Sequence, residues 1–339
     1  MQHADGEASR GEPSENDPAT RGTIDAAGAL HRHIVRLRLV SARMVALQRA
    51  EKIGFHTSSI GEEAVIVGAT LAAREDDWVF PGAREWGAAL VRGLPLAAYV
   101  HHAFGNAEDP SAGHAPPDHP PARRVHVVPA SGVVGAHLPQ AVGCAWAAKI
   151  KKASTVAIAL FGHAASTSGD FHNALNFAGV FKAPCVLVCR HDGRAAIQHR
   201  DIADRAAAYG LASISVDGTD ALAVSAARQE AVARAAEGKG PTLVEAVTKP
   251  LAPSDAQIAS GNVLDLGSDD PLVKIRRAIG ADASREEAMV QTFRAELEVA
   301  IADAERAAKP RQSTIFEDVY AEVPPHLRAQ EKELLSCRK

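Results

Sequence analysis

Residues 155–193 read TVAIALFGHAASTSGDFHNALNFAGVFKAPCVLVCRHDG, and their pattern decides the fold. Thr155–Phe161 is an unbroken apolar run of strand length, and Pro184–Cys189 (PCVLVC) is a second. Continuous rather than alternating apolar runs mark strands covered on both faces, as in parallel sheets. Between the two, Gly169–Val180 carries helical spacing. The alternation continues downstream, with Ile202–Tyr209 as helix, Ile214–Val216 as strand, Ala221–Glu237 as helix and Thr242–Val247 as strand. Upstream, Val125–Val128 reads as a short strand and Leu138–Ile150 as an Ala-rich helix. Strands alternating with helices predict an α/β fold with a doubly wound, mostly parallel sheet.

The ends of the chain read differently. Leu30, Ile34, Leu37, Val40, Met44 and Leu47 recur at helical spacing, which predicts one amphipathic helix over about Ile24–Lys52. A second helix, Ser59–Ala73, opens with Gly61-Glu62-Glu63, placing acids where the helix dipole favours them. Residues 1–24 offer almost nothing to bury and are predicted to be a disordered tail. Residues 105–124 form a Pro-rich loop. After Pro271 come two helical stretches separated by Lys309–Pro310. The expected organisation is a tail over 1–24, an α/β domain over 25–270 and a helical extension over 271–339, with no internal repeat.

Composition excludes several classes. The chain has 339 residues, 46% of them apolar and 23% charged, so a large core is available and global disorder is not. Its formal net charge of −4 lacks the basic surplus of a nucleic-acid binder. No apolar run approaches the ~18 residues of a membrane helix, and the start has no apolar signal core. The four cysteines, Cys144, Cys185, Cys189 and Cys337, are too few for a disulfide framework and fit reduced thiols in a cytoplasmic protein. Cys185 and Cys189 have no second pair at zinc-ligand spacing.

Open parallel sheets bind ligands beyond the carboxyl ends of their strands. Two such ends stand out: Phe161-Gly162-His163-Ala164 and Cys189-Arg190-His191-Asp192-Gly193. A glycine there lets the backbone approach a diphosphate, and the following helix start offers free N–H groups. One side chain from each strand end can hold a bridging cation.

At these residues the chain resembles the alpha subunit of the thiamine-diphosphate-dependent component of 2-oxo acid dehydrogenase complexes, of the branched-chain and pyruvate types. The family's Gly-Asp-Gly or Gly-Glu-Gly, followed by a run like SEGDFHEALNFA, corresponds to Gly162–Pro184 here. Its CRNNGYAI corresponds to CRHDGRAAI, Cys189–Ile197, with Arg190 nearer the branched-chain type. Gly61-Glu62-Glu63-Ala64, FPGAREWGAALVRG (Phe80–Gly93), LPQAVGCAWA (Leu138–Ala147), Ala208-Tyr209-Gly210, Val216–Asp220 and Phe316–Gln330 match further blocks in order. The resemblance implies the thiamine-diphosphate-binding fold with helical extensions at both ends. It also implies thiamine diphosphate and magnesium as cofactors, and oxidative decarboxylation of a 2-oxo acid with acyl transfer to a lipoyl group. The implied partners are a beta-type chain, in a dimer or alpha2-beta2 heterotetramer, and a lipoyl acyltransferase core. It places Arg84, Ser131, Val134, Gly162, His163, Ala164, Ala165, Arg190 and Asp192 around the cofactor. His163, Asp192 and Arg194 fall at the family's metal positions.

Departures from the family cluster there. His163 replaces the acidic magnesium ligand, Ala164 the second glycine, Asp192 the ligating Asn, Arg194 a tyrosine, and Ala83 the tyrosine before Arg84. Ser168 replaces the Glu of SEGD. Thr248–Gln257 (TKPLAPSDAQ) lacks the Arg and His of the family's active-site loop. Magnesium favours hard oxygen donors over imidazole. The Asn-to-Asp exchange restores the formal charge lost at His163, which leaves room for Asp192 as the main oxygen ligand. Three readings follow: a working alpha subunit with an unusual metal site, a non-catalytic structural or regulatory partner of a beta-type chain, or a binding protein for another phosphorylated ligand. Of the remaining histidines, His172 is expected in helix packing, and His101, His102 and His191 at the surface. His114 and His119 sit in the Pro-rich loop, with no zinc role expected.

Overall fold

The structure is a computed structural model that describes residues 18–129, 132–192, 202–249 and 251–337. Five strands form one sheet: β1 (Trp78–Phe80), β2 (Ala157–Gly162), β3 (Cys185–His191), β4 (Ala212–Asp217) and β5 (Thr242–Val247). Their order is β1-β2-β3-β5-β4, and every pairing is parallel. Register sets Gly162 beside Arg190 and His191 beside Val247, so the two motif-bearing strand ends lie side by side.

The helices are α1 (Pro18–Arg49), α2 (Glu63–Thr70), α3 (Gly87–Val91), α4 (Leu96–Phe104), α5 (His137–Ile150), α6 (Gly169–Phe181) and α7 (Ile202–Arg205). They continue with α8 (Ala221–Ala236), α9 (Asp255–Ser260), α10 (Pro271–Ile279), α11 (Ala283–Arg306), α12 (Thr314–Glu317) and α13 (Pro325–Ser336). The sheet is covered on both faces. Ile158, Leu160, Val186, Val188 and Val244 pack with α1, α2 and α8 residues on one side; Ala157, Ala159, Phe161, Leu187 and Leu243 pack with α5 and α6 on the other. The crossover helices α6 and α8 thus lie on opposite faces, which is double winding. The α6 crossover needs a glycine, because a Cβ at Gly179 would lie 1.8 Å from the Tyr209 carbonyl oxygen.

Several expectations are corrected. α1 begins at Pro18, so 18–24 continue the helix instead of belonging to a tail, and residues 1–17 lie outside the described residues. Val125–Val128 is not a strand: Arg123–Val125 is a 3-10 turn, His126 takes a left-handed φ of 55°, and only Val127 bridges to Val79. A left-handed residue turns the chain out of extended pairing. The Ile202–Tyr209 helix is a single α turn followed by 3-10 structure at Ala206–Tyr209. His101 and His102 are buried, not surface residues: His102 pairs with Asp109, and His101 meets Asn106 and Asp303 on α11. His172 is exposed on α6 and meets the Tyr209 hydroxyl at 2.6 Å.

One ion-pair network joins the two ends of the chain. Arg38 on α1 donates to both Glu63 oxygens, to both Asp270 oxygens and to the Val263 carbonyl; the three ionised side chains are 0% exposed. Burial works against the guanidinium's charge, but Glu63 and Asp270 outweigh it and hold Arg38 charged. Asp270 also caps α10, accepting from Leu272 N. Removing Asp270 leaves Arg38 paired with Glu63 alone and takes away two buried acceptors and the α10 cap, which costs about 1.5–3 kcal/mol. Asp270→Ala is therefore expected to lower the unfolding free energy from urea titration by that amount at neutral pH. Gly179→Ala, which overpacks the α6 crossover, is expected to cost about 1–3 kcal/mol in the same measurement.

Candidate functional site

The carboxyl edge of the sheet opens into a cleft of about 280 Å³. Arg84, Val134, Gly162, His163, Ala164, Ala165, Arg190 and Asp192 all line it, as the sequence assigns. Ser131 and Arg194 lie outside the described residues. The two central strands bring these residues together: β2 delivers Gly162 and His163, and β3 delivers Arg190 and then Asp192. After β2 the chain makes a 3-10 turn, His163–Thr167, before α6 starts at Gly169. The helix start is therefore set back from the strand, and its cap Ser168 already accepts from Phe171 N at 3.2 Å. Gly135 closes the cleft against this turn: its φ is 85°, and a Cβ there would stand 2.6 Å from Ser168 Oγ.

Arg190 is held by two carboxylates that the motif reading did not single out for the cleft. Its Nε donates to Glu85 Oε1 at 2.9 Å and its Nη1 to Glu62 Oε1 at 2.6 Å. Burial disfavours the Arg190 charge, but Glu85 and Glu62 raise its affinity for the proton beyond that. Arg84 donates to the same Glu62 oxygen at 3.3 Å. The other Glu62 oxygen is buried with no hydrogen-bond partner among the described residues, and burial pushes that carboxyl up. Glu62 lies in the Gly-Glu-Glu helix start and Glu85 follows Arg84, so both adjoin motif residues. Their shared arginine, however, comes from a strand over a hundred residues away.

His163 and Asp192 face each other, Nδ1 to Oδ1, at 3.7 Å. Burial lowers the His163 pKa, Asp192 opposes this, and His191, Arg190 and Arg84 add to the lowering. The imidazole is thereby kept neutral near pH 7. His191 is not a solvated loop residue: it ends β3, its ring stands 5.6 Å from that of His163, and its Nδ1 meets the buried Glu245 at 3.0 Å. Glu245 also accepts from Ile202 N and Ala203 N, which anchors the start of α7. That role was invisible in the sequence, where Glu245 reads as a polar break in an apolar strand. His137 Nε2 donates to the Leu160 carbonyl, 2.9 Å away.

These residues do not fit magnesium. The ion favours about six oxygen donors at roughly 2.0–2.1 Å. The described metal positions present one neutral imidazole and one carboxylate, already set against each other. Among the described residues no group of three His, Cys, Asp or Glu could hold a metal ion. Without a cation the charged residues that line the cleft cancel: Arg84 and Arg190 stand against Glu85 and Asp192, which leaves no positive excess for a diphosphate.

The sequence profile described as Dehydrogenase E1 component matches residues 31–314. The mitochondrial 2-oxoisovalerate dehydrogenase subunit alpha of Mus musculus is 34% identical over 322 residues, covering 90% of this chain and 73% of that protein. The 2-oxoisovalerate dehydrogenase subunit alpha of Pseudomonas aeruginosa is 33% identical over 328 residues, covering 89% and 80%. Among solved structures, transketolase from Campylobacter jejuni aligns with a TM-score of 0.52 and 20% identity, over 83% of this chain and 49% of that one. The chain spans about half of transketolase's length, and that likeness is of fold alone. The family profile runs from α1 through the sheet to α12, and with these relatives it establishes that the chain belongs to the Dehydrogenase E1 component family.

Proposed function

We propose that this chain is the alpha-type subunit of a 2-oxo acid dehydrogenase component whose cofactor-side chemistry is weakened or lost. The relatives' names supply a 2-oxo acid dehydrogenase subunit alpha, and the family resemblance adds oxidative decarboxylation with acyl transfer to a lipoyl group, carried out together with a beta-type chain. The observation that carries the weakening is the His163–Asp192 pair at the position where relatives of this type hold magnesium. Thiamine diphosphate bound through magnesium supplies the carbanion chemistry in such components. No step through it is assigned to this chain, because the described donors do not suit the ion.

What these residues do instead is structural. Arg190 ties the end of β3 to α2 through Glu62 and to the 3-10 turn at Ala83–Glu85 through Glu85. Glu245 ties β5 to α7 and His191. The carboxyl edge is thus braced from within the chain, as suits a subunit kept for assembly with a beta-type partner. A lipoyl acyltransferase core as a further partner, and a cytoplasmic location, belong to this same proposal. No described helix is long and apolar enough to cross a membrane. A binding site for another phosphorylated ligand is less favoured, since the charged residues lining the cleft leave no positive excess.

Two measurements test the proposal. Magnesium thiamine diphosphate should leave the melting temperature of the wild type unchanged. The variant combining His163→Asp, Ala164→Gly and Asp192→Asn should gain saturable, magnesium-dependent stabilisation. At ~1.4 kcal/mol per decade, one recovered charged contact corresponds to an affinity gain on the order of tenfold to a hundredfold. A wild type stabilised as strongly as the variant would count against lost cofactor binding. Sedimentation with a beta-type chain should give a stable dimer or heterotetramer, and a monomer under all conditions would refute the subunit role.

A further inference from the structure

We propose that the outer face of α5 and α6 pairs with the same face of a second copy of this chain, the helices running antiparallel across a two-fold axis. Helices at a protein surface ordinarily turn charged residues to water. These two do not. From Leu138 to Ala148, and again from Phe171 to Phe181, the sequence holds no Asp, Glu, Lys or Arg. Ile150 is nevertheless 67% exposed, Phe177 50% and Val180 68%. Trp146 of α5 stacks on Phe181 of α6 with ring centroids 4.2 Å apart, and Phe181 stacks on Phe177 at 5.7 Å.

Aromatic residues make up only 4% of the chain, so three of them stacked on one uncovered face differ from the scattered apolar exposure of an ordinary surface. Aromatic anchors in a patch depleted of charge have the composition of an interface centre. Gly143 and Ala147 are exposed on the same helix as Trp146 and leave its backbone open to close approach.

The ends of the face decide what covers it. Both helices run from the carboxyl edge of the sheet to the amino edge, because α5 leads into β2 and α6 carries the chain from β2 to the parallel β3. At the amino edge Lys149, Lys152 and Lys182 line a hollow of about 260 Å³. At the carboxyl edge Asp170 lies in the first turn of α6 and Asp204 is exposed on α7. The neighbouring Arg205 turns inward and donates to the Ser166 carbonyl at 3.1 Å. A two-fold axis perpendicular to the helices lays the lysine end of each copy over the acidic end of the other. An axis along the helices would set lysine against lysine. The face therefore complements itself in one orientation, and it supplies both signs of charge without a second kind of chain.

Sedimentation equilibrium of the full chain alone, under reducing conditions and from about 0.1 to 100 μM, tests the pairing. A reversible dimer is expected. Phe177→Glu places a charge in the middle of the face on a side chain already half exposed. It should raise the dissociation constant on the order of a hundredfold and leave the far-ultraviolet circular dichroism unchanged. Lys182→Glu should weaken the dimer about tenfold, and adding Asp170→Lys should restore it, which reads the antiparallel orientation and does not depend on how Phe177→Glu folds. A chain that stays monomeric at the highest concentration, a dimer indifferent to Phe177→Glu, or a Lys182→Glu loss that Asp170→Lys deepens would each overturn the pairing. A monomer that takes up a beta-type chain through Phe177 would overturn it as well and give the face to that partner. The pairing goes beyond the subunit reading and does not rest on it: with no beta-type chain in the sedimentation cell, its failure leaves that reading standing.

Discussion

A guanidinium buried at the carboxyl edge of a parallel sheet sets the geometry of this molecule's cleft. Arg190 leaves β3 beside Gly162 of β2 and meets Glu62 and Glu85 from two other segments. A buried charge must be paired, and the pairing fixes the elements that bring the partners. The start of α2, the 3-10 turn at Ala83–Glu85 and the end of β3 are therefore locked to one another. Arg38, with Glu63 and Asp270, does the same for α1, α2 and α10. The adjacent acids of Gly61-Glu62-Glu63 thus serve two separate networks, one facing the cleft and one beneath it.

Within that braced edge the change of chemistry is local. The backbone still presents a strand-end glycine, a turn and a capped helix, as a diphosphate site requires. Among the described residues the metal positions present one carboxylate, Asp192, and one imidazole, His163. His163 is kept neutral by its surroundings, and Asp192 faces it where an ion would otherwise be shared. A fold keeps its shape through core burial and paired charges, while a site depends on a few donors. The scaffold can persist after the site has changed, and the Dehydrogenase E1 component profile, which matches residues 31–314, records the scaffold.

The central strands and their helices were legible because each carries its own local signal. β2 and β3 are unbroken apolar runs, and α5, α6 and α8 repeat small apolar residues at helical spacing. β1 escaped because it has only three residues, Trp78–Phe80, and takes its place from pairing with β2. The cleft's lining could be named from the motif blocks, whereas its electrostatics could not. The Glu62–Arg190 bond spans 128 residues, and the partners of His102 lie across a loop with no periodicity. Of the histidines read as surface residues, His101 and His191 meet acids far along the chain, Asp303 and Glu245, while His102 meets Asp109 just beyond the end of α4.

The central claim is that the position between His163 and Asp192 no longer accepts magnesium, so the diphosphate has no cation to anchor it. The most direct measurement is calorimetric titration of thiamine diphosphate into the wild-type chain combined with a beta-type chain, with and without magnesium. No saturable magnesium-dependent heat at micromolar concentration is the expected result. Tight binding that requires magnesium, and that disappears in Asp192→Ala, would contradict the claim and assign Asp192 as the ligand that took over the ion.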